Sequence, residues 1–93
     1  PAAVRPNRYA LHQNYPNPFN PETEIRFSVP VRARVRITLY NLTGRKIETI
    51  LDSEYTPGTH ILRFTAGGLA SGVYIYRIEA GSFADSRKMI IMK

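Results

Sequence analysis

Cysteine and tryptophan are absent from this chain, and histidine occurs only twice. Without thiols, no disulfide framework and no thiolate metal site can hold the fold or do chemistry, so packing alone must hold the core. Apolar runs are short as well. None approaches the roughly 20 residues that span a bilayer, and no transmembrane segment is expected. Pro1 opens the chain without Met or any signal-peptide pattern, which reads as a piece cut from a longer protein. What is present is 93 residues, 43% of them hydrophobic. A chain of this size can bury roughly 60–65% of its unfolded surface, enough for one domain with no room for a second. The formal net charge of +6 is divided unevenly: residues 1–50 carry eight basic and three acidic side chains, residues 51–93 five and four. The first half holds the excess.

Residues 1–10, with Pro1, Pro6, Arg5 and Arg8, lack a sustained period and read as a linker from a preceding domain. The fold is expected to start near Leu11 and to run to Lys93. From Asn14 to Pro21 the order is Asn-Tyr-Pro-Asn-Pro-Phe-Asn-Pro, in which Pro16, Pro18 and Pro21 fix φ and push each preceding residue towards extended geometry. This segment cannot be a helix. A solvated linker has little use for Tyr15 and Phe19, so the segment reads as a strap docked on a sheet by these two aromatic anchors.

Beyond it, hydrophobicity alternates with period two. Ile25, Phe27 and Val29 oppose Glu24, Arg26 and Ser28; Val35, Ile37 and Leu39 oppose Arg34, Arg36, Thr38 and Tyr40. Turn chemistry at Asn41 to Gly44 then leads to a strand over Arg45 to Leu51, completing a hairpin. Pro57-Gly58 marks another turn, followed by His60, Leu62 and Phe64 in alternation with Ile61, Arg63 and Thr65. Gly67, Gly68 and Gly72 bracket a corner whose Leu69 is expected to plug the core. Strands Val73 to Ala80 and about Asp85 to Met92 follow, joined at Gly81 and Ser82. Six or seven short strands with glycine or proline at the turns and no helical period predict an all-β, immunoglobulin-like antiparallel β-sandwich of about seven strands. Tyr74, just after the glycine-rich corner, is the candidate for a corner tyrosine bonding back to upstream backbone. If Tyr74 faces inward, parity takes Tyr76 and Ile78 with it and sends Arg77 and Glu79 to solvent, which leaves no guanidinium buried.

Catalytic groups are sparse. His60 lies beside Leu62 and Phe64 and reads as a satisfied, partly buried histidine; His12 reads as a surface residue. The carboxylates Glu22, Glu24, Glu48, Asp52, Glu54, Glu79 and Asp85 are spread over separate strands and turns, with no calcium-loop spacing and no paired acids. Gly67-Gly68 precedes a turn and a strand, not the helix N-terminus that cradles phosphate. No enzyme activity, metal or cofactor is expected.

Arg32, Arg34 and Arg36, with Arg26 as a further candidate, are spaced to leave one face of a strand as a basic stripe. Nucleic acid would want interleaved aromatics, and only Tyr40 follows in phase. The simplest reading is a solvated face that guards an edge strand against aggregation. A further reading is contact with an anionic surface such as lipopolysaccharide. For a sugar platform, Tyr9, Tyr40 and Tyr55 remain once Tyr15, Tyr74 and Tyr76 are assigned to the strap or interior, and a carbohydrate-binding accessory module of a secreted hydrolase stands as the alternative function.

Four segments, taken in order, resemble one known family: Leu11 to Pro21, Val35 to Gly44 ending Tyr40-Asn41-Leu42-Thr43-Gly44, Leu69-Ala70-Ser71-Gly72-Val73-Tyr74, and Lys88-Met89-Ile90-Ile91-Met92-Lys93. The chain is similar over about Leu11 to Lys93 to the C-terminal sorting domain of the type IX secretion system, type A. The resemblance implies a non-catalytic module at the end of secreted Gram-negative proteins. It would carry its parent from the periplasm through the outer-membrane translocon to the cell surface or medium. The implied partners are the outer-membrane secretion machinery and a surface sortase that removes the domain and joins the cargo to anionic lipopolysaccharide. Lys88, Met89 and Lys93 match the terminal signature and are the candidates for translocon recognition, read by edge pairing and side-chain pockets on the last strand. Tyr15, Pro16, Pro18, Phe19, Pro21, Gly58, Leu69, Gly72 and Tyr74 fall in its structural motifs. The basic balance is a departure with no evident role in sorting, and the same fold resembles part of flagellar hook-capping proteins, so fold alone does not name the function.

Overall fold

Val35, Ile37 and Leu39 are fully buried while Arg34 and Arg36, on either side of Val35, are exposed, so the alternation read from the sequence is a physical inside and outside there. The computed structural model describes residues 6–93; residues 1–5, the first half of the expected linker, lie outside the described residues. Seven strands are present among them: β1 (Ala10–Leu11), β2 (Glu22–Val29), β3 (Ala33–Asn41), β4 (Lys46–Tyr55), β5 (Gly58–Thr65), β6 (Gly72–Ala80) and β7 (Phe83–Ile91). They form two antiparallel sheets, β1-β2-β5 and β4-β3-β6-β7, packed as an immunoglobulin-like sandwich.

The inner faces meet in one core. Ile25, Phe27, Val29 and Phe64 come from the smaller sheet, and Val35, Ile37, Leu39, Tyr74, Tyr76, Ile78, Met89 and Ile91 from the larger. Tyr74, Tyr76 and Ile78 point inward together, as charge avoidance at Arg77 requires. Each fully buried Ile, Leu or Phe contributes about 1.5–3 kcal/mol relative to exposure, which offsets the missing disulfides.

Strand order alters the meaning of the arginine stripe. β3 lies inside the larger sheet, whose edges are β4 and β7, so Arg34 and Arg36 do not guard an edge. Hydrophobic period reports which way a side chain faces, not which strand is its neighbour. Thr38, expected on the solvent face, is buried at this central position between its cross-strand neighbours Thr49 and Arg77. β4 runs four residues past the expected Leu51, to Tyr55. Irregularities opposite Ile37/Thr38 and Leu39/Tyr40 break its alternation, which hid its length from period counting.

Two glycines hold turns that other residues would strain. Gly81, at φ 58°, takes the first position of the two-residue loop between β6 and β7, and a Cβ there would stand 3.0 Å from the Tyr9 hydroxyl. Gly72 opens β6 at φ 154°. Tyr9, although in the segment read as linker, stacks on Phe83 with centroids 5.3 Å apart, and Ala10 pairs with Ser28 in β1.

Candidate functional site

The proline-rich segment and the final strand form one structure. Phe19 makes an isolated parallel bridge with Ile91: Phe19 N donates to Ile90 O and Met92 N donates to Phe19 O, both at 3.0 Å. Ile90 N donates to Asn17 Oδ1 at 2.8 Å, and Gln13 Nε2 to Lys88 O at 2.6 Å. Further along, Arg87 Nε donates to Leu11 O. From Lys88 O through both backbone groups of Ile90 to Met92 N, the outward edge of β7 is therefore already engaged. Edge pairing by a receptor, expected for this segment, finds its template occupied by the strap. Only the fold could show this, because the two segments lie at opposite ends of the chain.

The strap is anchored by residues that differ from those expected. Phe19 is buried and meets Phe64 edge-on at 6.2 Å. Tyr15 is 80% exposed and anchors nothing with its ring, which corrects its assignment as a second aromatic anchor. Its backbone supplies the tie instead, bridging to Glu24 in both directions at 3.0 Å. The interior place is taken by Asn14. Its backbone N–H donates to Tyr76 Oη, and its Nδ2 donates to Thr23 Oγ1 and to Pro16 O. A buried asparagine carries no hydropathy signal, so period counting passed over it. Tyr76 in turn donates its hydroxyl to His12 O at 2.7 Å. Burial pushes this phenol up to about 12, with the Asn14 hydrogen bond and the nearby Arg87 charge acting the other way. The peptide bonds before Pro16, Pro18 and Pro21 are cis.

The corner before β6 is tied similarly. Tyr74 donates its hydroxyl to Ala70 O at 2.7 Å, the back-bond of a corner tyrosine. Leu69 is half-buried against the core, and its N–H donates to Ala66 O. Gly58 opens β5 after Pro57.

The terminal residues separate by environment. Lys88 is exposed on β7. Met89 is 0% exposed, so in the folded domain its side chain is core and is closed to direct contact, against the expectation that it is read with the lysines. Lys93 is exposed, with its Nζ donating to Gly67 O at 2.7 Å and its backbone N–H to Ser71 Oγ at 2.9 Å.

The other candidate residues are brought into packing or ion pairs. Arg32 pairs with Glu54 at 2.8 Å, and Arg34 and Arg36 share Asp52 at 2.8 and 3.6 Å. The stripe thus has carboxylates of β4 alongside it, which weakens its pull on an anionic surface. Tyr55 packs on Phe27 and His60, and Tyr9 on Phe83, so Tyr9, Tyr40 and Tyr55 do not assemble into a sugar platform. His60 Nε2 donates to the Thr56 carbonyl at 2.8 Å, a structural bond rather than a base poised for substrate. Among the described residues, no group of three or more His, Cys, Asp or Glu side chains could hold a metal ion.

Fold and site together define a β-sandwich module whose most elaborate feature is an interlock between its opening strap and its terminal strand. The profile of the family described as the secretion system C-terminal sorting domain matches residues 13–92, and the chain belongs to that family. This is the sorting domain of type IX secretion, a non-catalytic kind of module whose parent proteins are exported to the outer membrane, cell surface or extracellular space. In structure the chain is similar to dimeric latent PorU from Porphyromonas gingivalis, solved by crystallography, with a TM-score of 0.74 and 19% identity. That match covers 95% of this chain and 10% of PorU, and at this identity it shows the fold alone. No curated protein matches the chain.

Proposed function

We propose that this chain, from about Leu11 to Lys93, is a type A sorting label whose own work is recognition and not catalysis. The outer-membrane translocon reads it at the terminal segment, and a surface sortase then transfers the parent protein to anionic lipopolysaccharide. The observation that carries this reading is the family match across residues 13–92. The strap supports a particular mode of recognition. With Lys88 O, both backbone groups of Ile90 and Met92 N engaged by the strap, the reader takes side chains, Lys88 and Lys93 foremost, while Met89 contributes by holding β7 on the core.

The test is a fusion of the 93-residue chain behind a signal peptide and a reporter, in a host that has this secretion system. The intact fusion is expected at the cell surface or in the medium. Retention of folded fusion in the periplasm defeats the proposal. The double variant Lys88→Ala with Lys93→Ala spares the core and is expected to lower export; export at the parental level would remove these lysines from recognition.

A further inference from the structure

Parity and register assemble a second feature on the outside of the larger sheet. Met89 and Ile91 are buried, so Lys88 and Ile90 face outward on β7. Tyr74, Tyr76 and Ile78 are buried, so Val73, Ile75 and Arg77 face outward on β6, and burial of Leu39 turns Tyr40 outward on β3. The register sets these side chains in rows: Tyr40 opposite Ile75, Ile75 opposite Lys88, and Val73 opposite Ile90. Three segments far apart in the chain, around residues 40, 75 and 89, thus meet on one face. Tyr40, Val73, Ile75 and Ile90 are half-buried there and Lys88 is exposed.

We propose that this outer face is the surface on which the secretion machinery docks, and that its occupant is a protein surface of apolar side chains bordered by carboxylates. The inference rests on the sorting role proposed above and locates it. An apolar centre with a polar rim is the arrangement that gives protein contacts their affinity, and tyrosine is among the residues that most often anchor them. Charge sets the partner's character. The arginines of β3 have Asp52 beside them, whereas Arg77 and Lys88 have no ion pair among the described residues. A partner carboxylate would supply what the fold leaves out. A second copy related by a two-fold axis would set these cations against their own kind. Leu42 and Met92, both exposed, follow Tyr40 and Ile90 at the next outward positions of their rows and extend this apolar face, whereas the exposed Tyr15, Val31 and Ile61 lie on other segments.

The test uses the same reporter fusion with Ile75→Asn and, separately, Lys88→Glu; Lys88 is exposed and its change spares packing. Ile61→Asn, on the smaller sheet and 52% exposed, is the control. Each face variant is expected to lower surface reporter about tenfold or more while the purified domain still unfolds cooperatively, with the control exported at the parental level. Parental export of both face variants overturns the docking face and leaves the sorting role standing, whereas failure of the parent fusion itself defeats both. Equal loss in the Ile61→Asn control also overturns it. Two solution measurements carry the other occupants. A dimer in sedimentation that Ile75→Asn dissolves assigns the face to a second copy, and binding to phosphatidylglycerol vesicles that Lys88→Glu abolishes assigns it to lipid; either result overturns the proposal.

Discussion

The hydroxyl of Tyr76 accepts the backbone N–H of Asn14 at 2.7 Å, across a sequence separation of 62 residues, and joins the strap to the middle of the larger sheet. The same oxygen donates to His12 O, so one buried phenol satisfies two backbone groups that water cannot reach easily. The strap is not merely draped on the sandwich. It is hydrogen-bonded into its interior.

Removing that oxygen should be costly. Tyr76→Phe keeps the ring but leaves Asn14 N and His12 O without their partner, an expected loss of about 1–3 kcal/mol. Urea unfolding should show a lower midpoint with little change in slope. An unchanged midpoint would mean that water or a shifted strap replaces the bond.

The same residue sets an alkaline limit. Below pH 10 the phenol is protonated in both folded and unfolded chains, and its contribution to stability is fully present. As pH rises from 10 towards 12, the unfolded chain releases a proton that the folded chain keeps, so stability falls. A gap of two pH units corresponds to a loss of roughly 2–3 kcal/mol. Thermal unfolding followed between pH 9 and pH 12 should show this component in the parent and lack it in Tyr76→Phe.

The strap's two aromatic residues should behave oppositely. Phe19→Ala empties a buried site against Phe64 and should cost about 3–5 kcal/mol, enough to unfold many domains of this size. Tyr15→Ala, at an 80% exposed position, should change stability by no more than about 0.5 kcal/mol. Chemical denaturation of both variants checks the contrast.

Asp52→Ala releases Arg34 and Arg36 from their shared carboxylate. These are surface pairs, and the expected stability loss is at most about 1 kcal/mol, largely abolished in ~1 M salt. The larger consequence is a stronger basic stripe. Retention on an anionic resin should increase, whereas an unchanged elution point would show that the pairs do not mask the arginines in solution.

Much of this molecule was legible from residue order alone. Absent cysteine excluded disulfides and thiolate metal sites, period two at Ile25 to Val29 and Val35 to Leu39 fixed inside from outside, and the Arg77 charge settled which face of β6 is buried. These are local consequences of side-chain chemistry and the alternation of a strand. The order of its motifs also pointed to the family. Strand neighbours were not accessible in this way, because pairing is decided by the whole chain. That is why the arginines proved to lie on an internal strand beside Asp52 and Glu54, why Tyr15 yielded its anchoring place to Asn14, and why the edge of β7 was already covered by the strap. Residue order alone set the apolar inward rows of β2, β3 and β6, while burial of the polar Asn14 and Thr38 carried no hydropathy signal. Which buried groups meet was settled by strand pairing across the whole chain, and with it the facing of the terminal segment, Lys88 and Ile90 outward and Met89 inward.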